Sequence, residues 1–134
     1  MKNSRIARIA LAGGQAVFPA LGDTDYIYGP DQARALIALL DARSPSHRLY
    51  HLGTGRAWSL PQWCKALAAL HPAFRWRESD QIEECNIVPL VPGTRTVFST
   101  RRLVQDLGYE AQFDVQLAAA DFSTWLAARP AFQQ

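Results

Sequence analysis

The sequence predicts an α/β fold that is rich in helices and has a small sheet. Several segments carry apolar residues at the helical period, short runs of strand-type residues lie between them, and the connections have ordinary lengths. The chain has 134 residues, 49% of them hydrophobic, which is enough to bury an apolar core. We therefore expect one domain over residues 1–134.

The first part of the chain predicts a helix, a strand and a loop. Residues 5–11 favour a short helix because three apolar side chains share one face, and two glycines end it. A short strand over residues 15–18 and a loop over residues 19–25 follow.

A strand-to-helix junction over residues 26–43 is the clearest local signal. Residues 26–28 are of strand type, and Pro30 suits the first turn of a helix. Asp31 lies in that first turn, where a carboxylate faces free N–H groups. The helix carries an apolar stripe of helical period, which comprises Ala33, Leu36, Ile37 and Leu40.

The middle of the chain predicts a strand over residues 47–52, a tight turn at residues 53–55 and a helix. Ser59 and Gln62 form a capping box at the start of that helix. Its apolar face comprises Leu60, Trp63, Cys64, Leu67 and Leu70.

The last third predicts short strands over residues 74–77 and 96–98, separated by an irregular segment. A helix that ends at Gly108 follows, and Asp114 caps the last helix. A sheet of a few such short strands leaves edges to cover, which indicates that part of the fold is missing.

Composition excludes several classes of function. The net charge of +2 is too small to predict nucleic-acid binding. No apolar run approaches the roughly 18 residues of a membrane span, and a signal peptide is not expected. Cys64 and Cys85 are too few for a disulfide framework, so we expect a cytoplasmic protein that binds neither membranes nor nucleic acid.

The turn Gly53-Thr54-Gly55 is the most tempting sequence motif. It follows a predicted strand and precedes a helix, and Glu78 lies further on, as in a dinucleotide-binding loop. However, Trp58 occupies the third glycine position, where an indole blocks close helix–strand packing, and the helix starts late, at Ser59. A glycine turn before a capped helix is the favoured interpretation.

The remaining polar residues predict no metal site and no nucleophile. His47 and His51 share one side of a predicted strand, but strand rise separates them by about 13 Å, too far for one metal ion. The Gly-x-Ser-x-Gly nucleophile elbow is not found in the sequence.

Four segments in order resemble one family. Gly22-Asp23 with residues 25–33 (DYIYGPDQA), residues 49–60 (LYHLGTGRAWSL), residues 106–109 with Phe113-Asp114, and the closing helix resemble the C-terminal part of extended short-chain dehydrogenases/reductases. These are the NAD-dependent epimerases and dehydratases, many of which act on nucleotide sugars. The resemblance covers about residues 5–126 and implies the C-terminal part of such a fold without its dinucleotide-binding domain.

The resemblance implies no catalytic residue and no cofactor-binding residue in this chain. The family's N-terminal glycine-rich loop is not found here, and no tyrosine is followed by lysine at the fourth position, as in the family's catalytic Tyr-x-x-x-Lys pair. That tyrosine exchanges a proton with the substrate hydroxyl while NAD takes the hydride. NAD is therefore implied only where an N-terminal domain or a partner supplies it.

The resemblance also implies a set of substrate-binding residues. A nucleotide sugar is the substrate class that the resemblance implies. Because Thr24 and Val91 stand where the family often has arginines, a different sugar acid or a small carbonyl substrate stays open. The implied substrate-binding residues are Val17, Phe18, Pro19, Tyr26, Tyr28, Asp31 and Arg95.

The function expected from these features is a substrate-binding portion that is not catalytic alone. We expect the chain either to be a fragment or truncated gene product, or to work with a partner chain that supplies the dinucleotide-binding half. One alternative is a non-enzymatic interaction or oligomerisation module, because helix faces that lack their usual cover drive self-association. A second alternative is a small stand-alone nucleotide-binding protein that uses Gly53 and Gly55.

Overall fold

The computed structural model describes residues 2–88 and 97–133. The chain is helix-rich with a small parallel sheet, which confirms the predicted fold class. Its elements are α1 (Lys2–Leu11), β1 (Gln15–Phe18), α2 (Gly29–Asp41), α3 (Leu60–Leu70), β2 (Arg75–Glu78), α4 (Arg101–Leu107) and α5 (Val115–Ala127), with short 3₁₀ helices at Ile82–Glu84 and Pro130–Phe132.

The chain divides into two compact units. Within the described ranges, the first unit comprises residues 2–22, 59–88 and 115–133, and the second comprises residues 23–58 and 97–114. The first unit holds α1, β1, α3, β2 and α5, whereas the second holds α2 and α4. The expectation of one domain over residues 1–134 stays a prediction.

The first unit is built around a two-stranded parallel sheet. β1 pairs with β2 in the register Gln15 with Arg75 through Phe18 with Glu78. Helices α1, α3 and α5 pack on one another and α1 packs on β1. Its fully buried large apolar side chains are Ile6, Phe18, Leu60, Leu67, Phe74, Ile87 and Leu126.

Two local capping signals in the sequence are confirmed. The Ser59 hydroxyl accepts a hydrogen bond from the Gln62 N–H (3.3 Å), and the Gln62 side-chain oxygen accepts one from the Ser59 N–H (2.7 Å). Gly108 ends α4 in the left-handed conformation, with φ of 60°. Both features depend on neighbours within a few residues, so the sequence is sufficient to predict them.

Two predicted strands of the second unit are wrong. Residues 26–28 and 47–52 have no ladder partner in the part of the chain that the structure describes, and the regular pairing seen there is a single antiparallel bridge between Thr24 and Trp58. Residues 97 and 98 are not in a strand either, and Thr96 lies outside the described residues. Strand-type side chains favour a strand only where a second strand is available to pair.

The apolar stripe of α2 is not buried. Ala33, Leu36, Ile37 and Leu40 are all exposed, and Leu40 keeps 84% of its surface accessible. The face of α2 that is buried carries Asp31 and Ala35 instead. The helix forms where the sequence predicts it, but nothing in the described second unit covers its apolar side.

Candidate functional site

The nearly buried carboxylate of Asp25 fixes a loop of the second unit by accepting hydrogen bonds from it. Its oxygens accept hydrogen bonds from the N–H groups of Thr54 (2.9 Å), Gly55 (3.2 Å) and Phe98 (3.3 Å), and from the Thr54 hydroxyl (2.7 Å). The approach is close, because a Cβ atom on Gly53 would lie 2.7 Å from an Asp25 oxygen. Glycine at position 53 therefore lets the turn close over the carboxylate.

The Asp31 carboxylate likewise holds a second loop of this unit by accepting hydrogen bonds from its backbone. It is fully buried, and its carboxylate accepts hydrogen bonds from the N–H groups of Gln112 and Phe113, both at 3.0 Å. Arg34 forms an ion pair with it one helical turn later. The Tyr109 hydroxyl donates to the Asp31 backbone carbonyl at 2.5 Å. A buried charge of this kind is tolerated because it is paired and receives several hydrogen bonds.

The surroundings of Asp31 change the chemistry of Tyr109. Burial raises the pKa of the Tyr109 hydroxyl above its ordinary value, and the negative charge of Asp31 raises it further. The hydroxyl therefore stays protonated at neutral pH and acts as a hydrogen-bond donor. It fixes the loop and is not prepared to act as a base.

The glycine turn is not available as a phosphate cradle. In a dinucleotide-binding loop the backbone N–H groups point at the pyrophosphate. Here the N–H groups of Thr54 and Gly55 already donate to Asp25, and α3 begins five residues after Gly55, at Leu60. The residues of this turn do not fit a pyrophosphate, as the sequence interpretation of a plain glycine turn expects.

Three of the predicted substrate-binding residues lie in the first unit. Val17 and Phe18 belong to β1 and are buried, and Pro19 follows the strand with partial exposure. Asn86 anchors this strand end, because its side-chain oxygen accepts from the Val17 N–H at 2.9 Å. The Phe18 ring stacks on Trp76 with centroids 6.1 Å apart. Packing thus occupies much of Val17 and Phe18.

The other predicted substrate-binding residues lie in the second unit, apart from Arg95, which is outside the described residues. Tyr26 packs against Trp58, with ring centroids 4.4 Å apart. Tyr28 packs edge-on against Phe113 at 4.9 Å. The structure therefore brings Tyr28 and Asp31 together on residues 109–113, whereas Val17, Phe18 and Pro19 belong to another unit.

A cavity that the sequence did not predict lies within the second unit. Its volume is about 210 Å³. Ligand pockets for drug-sized molecules are typically about 300–1,000 Å³, so this cavity is too small for a nucleotide sugar. It is lined by Gly53, Thr54, Arg56, Thr100, Leu103, Val104, Tyr109, Glu110 and Ala111.

Asp106 anchors the loop that precedes the glycine turn. One of its oxygens accepts hydrogen bonds from the Tyr50 hydroxyl (2.5 Å), the His47 ring (2.9 Å) and the Ser46 N–H (3.2 Å). The bonds from Tyr50 and then His47 hold the pKa of Asp106 below its ordinary value. Burial and the bond to Asp106 raise the pKa of Tyr50. The cluster is satisfied internally and serves to position residues 46–50.

Other reactive groups point to no further chemistry. Burial, with a smaller contribution from Glu78, raises the pKa of the Cys64 thiol to about 12, so that it is not a nucleophile at neutral pH. The described residues contain no group of side chains that would hold a metal ion. Among the described helices, none is long and apolar enough to cross a membrane.

Solved structures of known proteins match nearly the whole chain. An L-threonine dehydrogenase from Cupriavidus necator, described as similar to GalE, has a TM-score of 0.72 and 23% identity over 91% of this chain. The ADP-L-glycero-D-manno-heptose-6-epimerase of Helicobacter pylori has a TM-score of 0.73 and 17% identity over 95%. The UDP-glucose 4-epimerase of Bifidobacterium longum, solved with NAD⁺ and UDP, has a TM-score of 0.71 and 21% identity over 97%.

These matches decide the fold. The chain has the fold of part of the short-chain dehydrogenase/reductase epimerases. It spans 44%, 37% and 40% of the three matched chains, respectively. The matches confirm the predicted resemblance at the level of fold. They are consistent with the assignment of this chain to the C-terminal part of that fold. No protein-family model matches the sequence, and no curated protein sequence matches it.

Proposed function

We propose that this chain is the substrate-binding portion of an NAD-dependent epimerase or dehydratase, and that a dinucleotide-binding portion supplied from elsewhere completes it. The observation that carries the proposal is the fold match: it covers more than nine tenths of this chain but less than half of each of the three enzymes. When held by the other portion, NAD supplies the hydride acceptor.

A nucleotide sugar is the proposed substrate class. The Bifidobacterium longum enzyme was solved with UDP, and the Helicobacter pylori enzyme is named for an ADP-linked heptose. The match to a threonine dehydrogenase makes a small hydroxy amino acid the competing substrate class. The alternative of a pure interaction module predicts that neither class of compound binds.

The residues proposed to face the substrate are the members of the predicted set that keep accessible surface. Pro19, Tyr26 and Tyr28 keep accessible surface, and Arg95 is proposed on the sequence resemblance alone. Val17 and Phe18 are proposed on the sequence resemblance alone, since packing occupies much of both side chains. For Asp31 we propose a positioning role, because its carboxylate already accepts bonds from residues 112 and 113.

Isothermal titration of the chain with UDP-glucose, UDP and L-threonine tests the proposal. We expect UDP-glucose to bind without added NAD, and Tyr26→Ala to weaken that binding at least about tenfold, or about 1.4 kcal/mol. Ile82→Ala, which alters an exposed side chain in the other unit, is the control. Binding of L-threonine alone would replace the substrate class, and binding of none of the three would refute the proposal.

A fluorescence titration with NADH tests the stand-alone nucleotide-binding alternative. We expect no enhancement, because Asp25 occupies the N–H groups that a pyrophosphate would need. Enhancement that disappears in Thr54→Pro, which removes one of those N–H groups, would favour the alternative. Circular dichroism of the variant checks that it is folded.

A further inference from the structure

The cavity of the second unit is lined by two side chains of opposite charge. Arg56 follows the glycine turn, Glu110 follows α4, and both line the cavity. Within the described residues, neither side chain forms an ion pair or a hydrogen bond. The guanidinium and the carboxylate are therefore too far apart to pair with each other, and both remain available to a ligand.

A third polar group on the wall of this cavity is the Thr100 hydroxyl. Thr100 comes directly before α4, but its side chain makes no capping bond to that helix. No other hydrogen bond of this hydroxyl is found in the part of the chain that the structure describes. Its oxygen lies beside the glycine turn, since a Cβ atom on Gly55 would be 3.2 Å from it. A hydroxyl both donates and accepts, so it can bind a charged group of either sign.

The rest of the cavity wall includes apolar side chains, and the volume limits what fits. Leu103, which is 1% exposed, lines the cavity together with Val104 and Ala111. The volume of about 210 Å³ corresponds to about seven water molecules at roughly 30 Å³ each. A ligand that matches this wall is therefore small, carries a positive and a negative group, and has an apolar end.

We propose that the cavity binds a free α-amino acid with a short aliphatic side chain. The ligand carboxylate pairs with Arg56, its ammonium group pairs with Glu110, and its side chain lies against Leu103 and Val104. A simple anion would be repelled by the Glu110 carboxylate, and a simple amine by the Arg56 guanidinium. A zwitterion matches both charges and gains a charge-assisted hydrogen bond at each end.

This site is distinct from the residues proposed to bind the substrate, none of which is among the described residues that line the cavity. It nevertheless touches both loops that the buried carboxylates hold. The Thr54 hydroxyl donates to Asp25, the Tyr109 hydroxyl donates to the Asp31 carbonyl, and Thr54 and Tyr109 both line the cavity. We therefore expect bound amino acid to slow hydrogen exchange at residues 109–113.

An NMR titration of the isotope-labelled chain with L-valine tests the proposal. We expect the amide signals of residues 53–56 and 103–111 to shift, with a dissociation constant of about 1 mM for so small a ligand. Two matched probes separate the charges: isovalerate lacks the ammonium group, and isobutylamine lacks the carboxylate. Each should bind at least about tenfold more weakly than L-valine. Equal affinity for either probe would overturn the proposal.

Substitutions of the charged side chains give the second readout. Arg56→Ala and Glu110→Gln should each weaken L-valine binding at least about tenfold. Arg48→Ala, at an exposed arginine of the same unit that does not line the cavity, is the control. Glu110→Gln should not weaken isovalerate binding, because it removes a like charge. A merely structural role of Glu110 would weaken the binding of both compounds.

The amide spectrum itself shows whether each variant is folded, and both substituted residues are exposed. L-valine that causes no shift at the lining residues would overturn the proposal, and so would L-valine binding that persists undiminished in Arg56→Ala and Glu110→Gln.

The outcome is independent of the proposed function. L-valine has no hydroxyl group to oxidise, so its binding reports on this cavity and not on the proposed substrate residues. Binding of L-threonine that is retained in Arg56→Ala but lost in Tyr26→Ala would belong to the substrate residues. Failure of L-valine to bind, with UDP-glucose binding retained, would therefore leave the proposed function in place.

Discussion

The two units of the chain bury different kinds of side chain. The first unit has an apolar core in which Phe18, Leu67 and Phe74 are fully or almost fully buried. In the described part of the second unit, the buried apolar side chains are Ala35 and Leu103. Its other buried residues are Asp25, Asp31 and Gly53. The first unit thus has a core of its own, whereas the second is organised by hydrogen bonds to carboxylates.

This difference accounts for the exposure of the α2 stripe, although the first unit also has exposed apolar side chains, such as Ile82. A carboxylate that accepts several backbone N–H bonds fixes loops, but it removes no apolar surface from water. The α2 stripe and Leu49 therefore remain accessible although the unit is locally well ordered by hydrogen bonds. Substitutions that separate apolar burial from carboxylate bonding test whether the two units are stabilised by different forces.

The largest expected effect comes from a pair of leucines. Leu67→Ala, at a fully buried position of α3, should lower the free energy of unfolding by about 3 kcal/mol, because it removes apolar contacts and leaves a cavity. Leu40→Ala, at the exposed end of the α2 stripe, should change it by less than about 0.5 kcal/mol. Urea denaturation, with labelling of the buried Cys64 thiol as the readout of unfolding, measures the free energy of unfolding of both variants.

Equal losses of unfolding free energy in Leu67→Ala and Leu40→Ala would contradict the proposed difference between the two units. That result would mean that Leu40 is covered in solution, as expected for a self-associated chain. Repeating the denaturation at a tenfold lower protein concentration separates the two explanations, because only an association contributes a concentration-dependent stability.

The second prediction concerns the carboxylate of Asp31. Asp31→Asn should destabilise the second unit by about 2–3 kcal/mol, because it leaves Arg34 without its partner and turns one acceptor oxygen into a donor facing N–H groups. Asp41→Asn, at the exposed end of the same helix, is the matched control. Hydrogen exchange of residues 109–113 should rise in the first variant and not in the second.

The sequence predicts well the structural features that depend on residues close together along the chain. The capping box at Ser59, the stop at Gly108 and the strand over residues 15–18 all appear as expected. Helix α2 also forms at its expected place, since Pro30 and Asp31 suit a first turn. The caps and the helix start depend on contacts within a few positions along the chain. The strand over residues 15–18 forms because β2 is available to pair with it.

The sequence does not predict what distant residues decide. Asp25 binds residues 54, 55 and 98, and Asp31 binds residues 112 and 113. A polar residue in a strand–helix junction carries no sign of which loop it will hold, so the sequence does not predict these hydrogen bonds. The strands over residues 26–28 and 47–52 were predicted from side chains alone, and strand formation needs a pairing partner.

A smaller effect is expected at the turn over Asp25. Gly53→Ala should destabilise the second unit by about 1–2 kcal/mol, because the new Cβ atom would lie 2.7 Å from the carboxylate and 3.3 Å from the Phe98 Cβ. Gly29→Ala is the control, since a Cβ atom there meets nothing within 4 Å and the residue begins a helix. Thermal denaturation of both variants gives the comparison, and equal melting temperatures would show that the turn relaxes without cost.

The smallest expected effect is a pH dependence at Asp106. Hydrogen bonds from Tyr50 and His47 hold its pKa below the ordinary value, so the carboxylate contributes stability above its unfolded pKa of about 3.9. That contribution is lost as the pH falls through the lower, folded pKa, which places the window in the acid range. Tyr50→Phe removes the largest cause of the shift, so the pKa of Asp106 should rise towards its ordinary value in an NMR titration. Tyr26→Phe, whose ring packs on Trp58, should leave it unchanged. If the pKa of Asp106 is the same in both variants, the bond from Tyr50 does not form in solution, and residues 46–50 are less firmly held than the paired side chains of the second unit indicate.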